Sequence, residues 1–178
     1  MRERLLRAAA QVLDAEGVEA VTIREVARRA EVSHGAPRRH FPTRALLLAT
    51  LAQAGFAELV DELDALDGHG PPARQLARAG HVYLAFARSR PALFDLMTRH
   101  DLLEDSGVDL RSSSLAALAR WHELVRAARP SASPQDGLLL FAAVHGLAAL
   151  HSHRALDLLE QDAAALVDLL LDAPATPR

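Results

Sequence analysis

Apolar side chains recur three and four residues apart along almost the whole chain, the spacing that places them on one face of an α-helix. The first such set includes Leu5, Ala9 and Val12, and Gly17 follows where that helix would end. No segment keeps the alternating pattern of a half-buried strand. Half of the 178 residues are apolar, which is enough for a substantial core. The sequence therefore predicts an all-α protein of about nine helices.

Prolines and glycines predict where these helices end. The clearest linker is the run of glycine, histidine and proline at 68–72, and Pro91, Pro130 and Pro134 mark further breaks. Between these breaks the spacing predicts helices at 44–66, 73–89, 91–99, 105–127, 134–154 and 157–172.

The chain contains no cysteine, which excludes disulfides, thiolate metal sites and cysteine nucleophiles. Its first residues lack the apolar run of a signal peptide, and no apolar run approaches the roughly 18 residues of a membrane-spanning helix. We therefore expect a cytoplasmic protein without membrane contact. His145, His151 and His153 lack the three- or four-residue spacing of helical metal ligands, so neither a metal site nor a cofactor is predicted.

Charge is distributed unevenly along the chain. Residues 1–44 hold nine arginines and six acidic side chains, whereas the whole chain has a net charge of −3. A basic head on an acidic body fits a nucleic-acid-binding domain joined to a domain that does not bind nucleic acid. A solvated helix surface would carry the same excess, so charge alone leaves both interpretations open.

The segment from 22 to 46 has the pattern of two short helices joined by a tight turn. Thr22 and Glu25 have the spacing of a capping box, which satisfies free amides at a helix start. Ser33 is placed to cap the following helix, whose first turn tolerates Pro37 because that position needs no N–H donor. This arrangement predicts a helix-turn-helix, whose second helix fits the major groove of DNA.

The same segment resembles the N-terminal signature of the TetR family of transcriptional regulators. The matching residues are Ala27, Ala30, Glu31, Val32, Ser33, Gly35, His40, Phe41, Pro42, Arg44 and Leu46. The resemblance implies a three-helix DNA-binding domain over residues 1–46, in which Phe41 locks the recognition helix to the core. It further implies a homodimeric repressor that binds double-stranded operator DNA of palindromic sequence and is released by a small-molecule effector of unknown identity.

By position, the resemblance assigns DNA contacts to Thr22, Arg24, Ser33, His34, Gly35, Ala36, Arg38, Arg39, His40 and Arg44. Thr22 and Ser33 would bind phosphates through hydroxyl and backbone N–H groups. Arg38 stands where the family usually has tyrosine, and it predicts a more GC-rich operator because a guanidinium can pair with guanine. Glu31 stands at a turn position that glycine often holds, which predicts backbone strain.

Residues 47–178 are predicted to form the effector-binding and dimerisation domain. The stretches 83–97 and 143–148 resemble a regulatory-domain subgroup named for a Trp-His-Gly motif, although alanine or valine replaces the tryptophan here. The resemblance implies an effector cavity, and aromatic side chains and methionine are typical cavity walls. The predicted lining residues are Tyr83, Phe86, Phe94, Met97, Trp121, Phe141 and His145, although core packing is an alternative role for each of them.

The helices predicted at 134–154 and 157–172 are too apolar to stand exposed. The resemblance implies that they pair with their copies in a four-helix dimer interface. The predicted interface residues are Leu138, Leu147, Leu150, Leu156, Leu159, Leu166 and Leu170. A two-fold dimer would present two recognition helices about one DNA turn apart to a palindromic operator.

Two other classes of function compete with a regulator. No Gly-rich phosphate loop, GxSxG elbow or HExxH motif occurs, so no enzymatic activity is predicted. A helical protein-interaction module that has lost DNA binding would share this composition, and the departure at Arg38 keeps that alternative open. Salt-dependent affinity for DNA would separate a regulator from both alternatives.

Overall fold

The computed structural model describes residues 1–33, 35–66, 70–103 and 106–172, and regular secondary structure within those ranges is entirely helical. The α-helices are α1 Arg2–Glu16, α2 Ile23–Arg29, α3 Arg44–Asp64, α4 Pro72–Ser89, α5 Pro91–Thr98, α6 His100–Leu103, α7 Leu110–Ala128, α8 Pro134–Ser152, α9 Ala155–Leu158 and α10 Ala163–Asp172. Two 3₁₀ helices span Val18–Ala20 and Pro37–Arg39. The all-α prediction is confirmed. None of the described helices combines the length and apolarity that crossing a bilayer requires.

The chain forms two compact units, each built from two stretches of sequence. The first unit comprises Met1–Ala57 and Arg90–Ser113, and the second comprises Glu58–Ser89 and Ser114–Arg178. The domain boundary predicted after residue 46 lies near the start of α3, and the units divide later in that helix. Residues 68 and 69 of the predicted linker, like His34, lie outside the described residues.

In the first unit, α1 packs against α2 and α5. Its apolar stripe is buried as predicted, with Leu5, Ala9 and Val12 fully enclosed. The helix ends at Gly17, whose φ of 80° and ψ of 175° form a backbone conformation that residues with a side chain rarely adopt. The next helix, α2, begins where the Thr22 hydroxyl accepts a hydrogen bond from the Glu25 N–H over 3.1 Å.

The turn after α2 shows the expected strain. Glu31 has a φ of 52°, in the left-handed region that favours glycine. The helix predicted from Ser33 is a short 3₁₀ helix, Pro37–Arg39. Pro37 has no N–H to donate to the Ser33 carbonyl, and the Ala36 N–H donates to it instead over 2.9 Å. The proline in the first turn therefore shortens and tightens the helix.

In the second unit, α4 packs against both α8 and α10, which also pack against each other. Gly80 of α4 allows the close approach of α10, because a Cβ at this position would lie 2.6 Å from Val167 Cγ1 and 2.8 Å from Leu171 Cδ1. A capping box formed by Ser133 and Asp136 begins α8, with the Asp136 carboxylate accepting from the Ser133 N–H.

The helix predicted at 157–172 is two helices, α9 and α10. The separation follows from backbone features that apolar spacing does not reveal. Glu160 has a φ of 53°, and the Asp162 carboxylate accepts a hydrogen bond from the Ala164 N–H over 3.0 Å at the start of α10. The break leaves two leucines exposed: Leu158, the last residue of α9, and Leu159, which follows it.

Candidate functional site

Most of the predicted DNA-contact residues lie on the surface of the first unit. Exposed among them are Thr22, Arg24, Ser33, Gly35, Arg38, Arg39 and His40, while Ala36 and Arg44 are half-buried. Five of these residues line one groove of about 290 Å³, which we call the recognition groove: Met1, Ser33, Gly35, Ala36, Arg39 and His40 form its walls. The structure therefore brings together half of the ten residues that the resemblance assigned to DNA.

Small residues and free cations form the outer face of this segment. A Cβ at Gly35 would meet no atom within 4 Å, so packing inside the protein does not require glycine there. Arg38 and Arg39 are exposed, and no side chain of the described part of the chain pairs with either guanidinium. The segment thus offers positive charge beside a position open to close approach, an arrangement suited to the edge of a polyanion.

Phe41 and Arg44 fix this segment to the rest of the first unit. The Phe41 ring is fully buried, and the Arg2 guanidinium lies over it, 5.2 Å from the ring centroid. Arg44 donates from Nε to the Val21 carbonyl over 2.8 Å and from Nη2 to the Val18 carbonyl over 2.6 Å. These bonds give Arg44 a structural role, and its contact with DNA stays a prediction.

The other two arginines of α2 form ion pairs with glutamates. Arg28 donates from Nε to Glu25 over 2.8 Å, and this hydrogen bond lowers the pKa of the Glu25 carboxyl. Arg29 pairs with Glu16 of α1. The Glu25 carboxylate, predicted to complete a capping box, is therefore engaged with Arg28. This leaves Arg24 as the exposed cation at the start of α2.

Four of the seven predicted effector residues meet in the second unit, and we call Tyr83, Trp121, Phe141 and His145 the ring cluster. The Phe141 ring lies 5.8 Å from the Tyr83 ring, 6.2 Å from the Trp121 ring and 6.0 Å from the His145 ring, measured between centroids. The Trp121 indole N–H donates to the Gly137 carbonyl over 3.0 Å, which ties α7 to α8. Packing and hydrogen bonding therefore fix the orientation of these rings.

A polar pair joins the ring cluster, because Tyr83 Oη and His145 Nδ1 lie 2.9 Å apart. Burial raises the pKa of the Tyr83 hydroxyl and lowers the pKa of the His145 imidazole. At neutral pH both side chains are therefore uncharged, and they share a hydrogen bond whose donor depends on the tautomer of the imidazole.

The remaining predicted effector residues have other surroundings. Phe86 is buried in the second unit, whereas Phe94 and Met97 are buried in the first unit. Met97 and Leu93 pack close to Gly55 of α3, where a Cβ would lie 2.8 Å from the methionine sulfur. Their predicted place in a cavity wall stays a prediction.

The predicted dimer residues differ widely in exposure. Leu138, Leu150 and Leu159 are exposed, and Leu147, Leu166 and Leu170 are half-buried. Leu156 is only 3% exposed, so it has almost no surface left to bury in a dimer. Leu139 and Leu169, at 69% and 72% exposure, were not among the predicted residues, because α8 and α10 are apolar on several sides and spacing alone does not select their outer face.

Family profiles match both parts of the chain. Residues 5–51 match the family described as bacterial regulatory proteins, tetR family. Residues 76–173 match the tetracyclin repressor-like C-terminal domain. The second match alone covers more than half of the chain, and the first covers the helix-turn-helix and every residue of the recognition groove except Met1.

Individual relatives agree with these profiles. The nucleoid occlusion factor SlmA of Vibrio campbellii is 30% identical over 104 residues, which are 57% of this chain and 53% of that protein. The HTH-type transcriptional repressor KstR of Mycolicibacterium smegmatis is 34% identical over 107 residues, 59% of this chain and 52% of that protein. The chain therefore spans about half the length of the curated relatives it matches.

Among solved structures, a protein of unknown function from Rhodococcus sp. RHA1 superposes with a TM-score of 0.83 at 27% identity, covering 96% of this chain and 91% of that one. Fold, motif and both profile matches thus agree. The chain belongs to the TetR family of DNA-binding transcriptional regulators.

Proposed function

We propose that this protein is a one-component repressor that binds a palindromic operator as a homodimer and is released by a small-molecule effector. The observation that carries the proposal is the recognition groove, in which exposed arginine and histidine side chains flank a glycine that no internal packing requires. A regulator of this kind acts in the cytoplasm, where its operator is.

In this proposal, the predicted DNA-contact residues divide into those that contact the DNA backbone and those that contact the bases. Thr22 and Ser33 contact phosphates at the edges of the site, and Arg39 and His40 hold the backbone. Gly35 and Ala36 approach the bases closely because they have little or no side chain. Arg38 pairs with guanine, which gives the operator its GC preference.

The dimer forms through the leucines that α8, α9 and α10 leave in solvent. These are Leu138, Leu139, Leu150, Leu158, Leu159 and Leu169. Full burial of one leucine contributes about 1.5–3 kcal/mol, so a few of them suffice for a stable interface. A second copy is the fitting occupant, because a palindrome needs a two-fold protein.

Gly146, at the exposed face of α8, is further support for a dimer interface on this surface. A Cβ there would meet no atom within 4 Å, so the fold of one protomer gives no reason for glycine in mid-helix. Glycine in that position costs about 1 kcal/mol relative to alanine. The open position lets the backbone of a second α8 approach closely, as small residues do at other helix crossings.

The effector binds beside the ring cluster of the second unit. Its aromatic surfaces and single polar pair suit a ligand with a large apolar part. Binding favours a conformer whose recognition grooves no longer match the operator spacing, and by linkage the operator weakens the effector equally. The resemblance of 143–148 to the Trp-His-Gly subgroup, which contains His145, stays a prediction.

In-vitro selection of bound duplexes from a random DNA pool, followed by salt titration of the selected sequence, tests this function. We expect a palindromic sequence, bound by a dimer, whose affinity falls steeply as salt rises. The variant Gly35→Leu should lose roughly 10- to 100-fold in affinity while keeping the melting temperature. Arg126→Gln, on the exposed side of α7 in the second unit, is the matched control.

Arg38→Tyr tests the base preference separately, since it should shift the selected sequence away from guanine. Failure of the wild-type chain to enrich any duplex above non-specific binding would overturn the repressor and favour a protein-interaction module. An unchanged consensus with Arg38→Tyr would overturn only the role of Arg38.

A further inference from the structure

A second groove lies in the first unit, at the junction of α1 with the end of α2. It has a volume of about 340 Å³, and we call it the flanking groove: Arg4, Arg7, Ala8, Gln11, Arg29, Ala30 and Glu31 form its walls. None of its residues belongs to the set that the family resemblance assigned to DNA. It contains three guanidinium groups and one carboxylate, so its net charge is positive.

Two of these cations are available to an external partner. Arg4 and Arg7 are exposed, and among the described residues no carboxylate lies within ion-pair distance of either guanidinium. Arg29 differs, because Glu16 binds its guanidinium. Gln11 adds a neutral side-chain donor one helical turn beyond Arg7. The groove therefore offers a row of unpaired donors along one face of α1.

The residues that line the flanking groove lie close in sequence to those that line the recognition groove. Met1 lines one groove and Arg4 the other, and the Leu5 N–H bonds the Met1 carbonyl over 3.1 Å, so a single helical turn joins them. On the other wall, Glu31 precedes Ser33 by two residues. A rise of about 1.5 Å per residue puts Arg4 about 4.5 Å and Arg7 about 9 Å along the helix from Met1. Arg4 and Arg7 are therefore about 4.5 Å apart along the helix axis, and their long side chains can reach neighbouring phosphates of one DNA strand.

We propose that the flanking groove binds the DNA phosphodiester backbone just outside the bases read by the recognition groove, with Arg4 and Arg7 as its phosphate ligands. The inference rests on the proposed operator binding. Guanidinium groups suit this partner because they bind phosphate oxygens bidentately. Arg4 contributes more than Arg7, because it lies nearer to the recognition groove.

Glu31 opposes this contact. Its carboxylate is exposed in the same groove, and its backbone adopts a φ of 52° that glycine would tolerate without strain. A negative charge near the phosphates weakens binding at the flank. Replacing Glu31 by glutamine removes the charge but keeps a side chain at the same φ, and it should therefore raise affinity.

Binding of two duplexes that share the selected operator tests the proposal, one with several flanking base pairs on each side and one trimmed to the operator core. We expect Arg4→Gln to weaken binding of the long duplex roughly three- to tenfold and to reduce the slope of log affinity against log salt by about 0.9 for each phosphate that is no longer neutralised. Arg7→Gln should weaken binding less, and Glu31→Gln should strengthen it roughly two- to fivefold. On the trimmed duplex all three variants should match the wild type, and Arg126→Gln should match it on both duplexes.

The outcomes separate this inference from the function on which it rests. If the wild-type chain binds no operator, the proposed function fails. If it binds and the Arg4→Gln and Arg7→Gln variants keep wild-type affinity and salt slope on the long duplex, the flanking contact is wrong while the operator binding stands. Equal losses of affinity on both duplexes would also overturn it, since Arg4 would then act through the fold; melting curves of each variant identify that case.

Discussion

In the first unit the side chains that face outward around the recognition groove are charged, polar or very small, whereas in the second unit exposed leucines lie along α8, α9 and α10. The interiors of the two units show the opposite contrast, because the first is apolar and the second contains a polar pair. Phe41 and the stripe of α1 make the core under the groove apolar. The second unit instead contains a part-buried tyrosine–histidine hydrogen bond among its rings.

This contrast indicates what each surface meets. DNA carries one negative charge per roughly 1.7 Å of its axis, so a surface that binds it gains from arginines held in solvent without partners. A second copy of the chain would bring the same exposed leucines, and their burial would stabilise that contact. The exposed leucines of the second unit depart from the usual burial pattern, and burial against the proposed second copy would remove that departure.

The largest expected effect concerns the outward leucines. Replacing Leu139 and Leu169 by glutamate should weaken dimerisation at least about a thousandfold, since each change removes buried apolar area and introduces charge on both copies. Sedimentation equilibrium measures the dissociation constant. Leu115→Glu, at an exposed leucine of α7, is the control and should remain dimeric. A double variant that stays dimeric would show that these leucines face solvent in the assembly, and the contrast between the units would lose its explanation.

The next largest effect is expected at Arg44, an arginine of the first unit whose guanidinium forms hydrogen bonds within the protein. Arg44→Gln should lower the free energy of unfolding by about 2 kcal/mol, because the hydrogen bonds to the Val18 and Val21 carbonyls are removed. Arg44→Lys should be nearly as unstable, since an ammonium cannot reproduce the fork that binds both carbonyls. Urea unfolding measures both variants.

The lysine variant also distinguishes positioning from contact. If Arg44 only positions the segment, Arg44→Lys keeps the wild-type salt slope for operator binding. Wild-type stability combined with a reduced slope would instead make Arg44 a phosphate ligand like its neighbours, as the family resemblance implies.

The helix-turn-helix was predictable because its determinants are local. Gly17 ends α1 and Thr22 caps α2 through contacts within three or four residues, and the glutamate at position 31 already suggested a strained turn. The 3₁₀ form of Pro37–Arg39 follows from one missing N–H, which the sequence shows but which also fits the first turn of a longer helix.

The second unit was less predictable because its determinants are distant in sequence. The outer face of α8 depends on which sides α4 and α10 cover, and apolar residues on several sides leave that choice open. Tyr83 and His145 are 62 residues apart, so no local pattern pairs them. Phe94 and Met97 were grouped with them by resemblance and residue type, although they belong to the first unit.

Two glycines of the second unit, Gly80 and Gly146, give a further test, in which the expected change in the free energy of unfolding is of intermediate size. Gly80→Ala should lower the free energy of unfolding by about 1–2 kcal/mol, because the new Cβ would overlap Val167 and Leu171 of α10. Gly146→Ala, where no atom lies within 4 Å, should instead stabilise one protomer by up to about 1 kcal/mol through helix propensity. Urea unfolding in the Leu139→Glu/Leu169→Glu background separates these effects from dimerisation. If the two variants changed the free energy of unfolding equally, the surroundings of Gly80 in α4 and Gly146 in α8 would not differ as described.

The smallest effect concerns the polar pair of the second unit. Burial lowers the pKa of His145, so between the folded and unfolded pKa values the unfolded chain binds a proton that the folded chain does not. Stability contributed by neutral His145 is therefore present above a pH of about 6.5 and is lost as the pH falls below it. His145→Gln should show a smaller fall in melting temperature between neutral and mildly acidic pH than the wild type. A His145→Gln profile as steep as that of the wild type would mean that burial of His145 does not contribute to the pH dependence of stability.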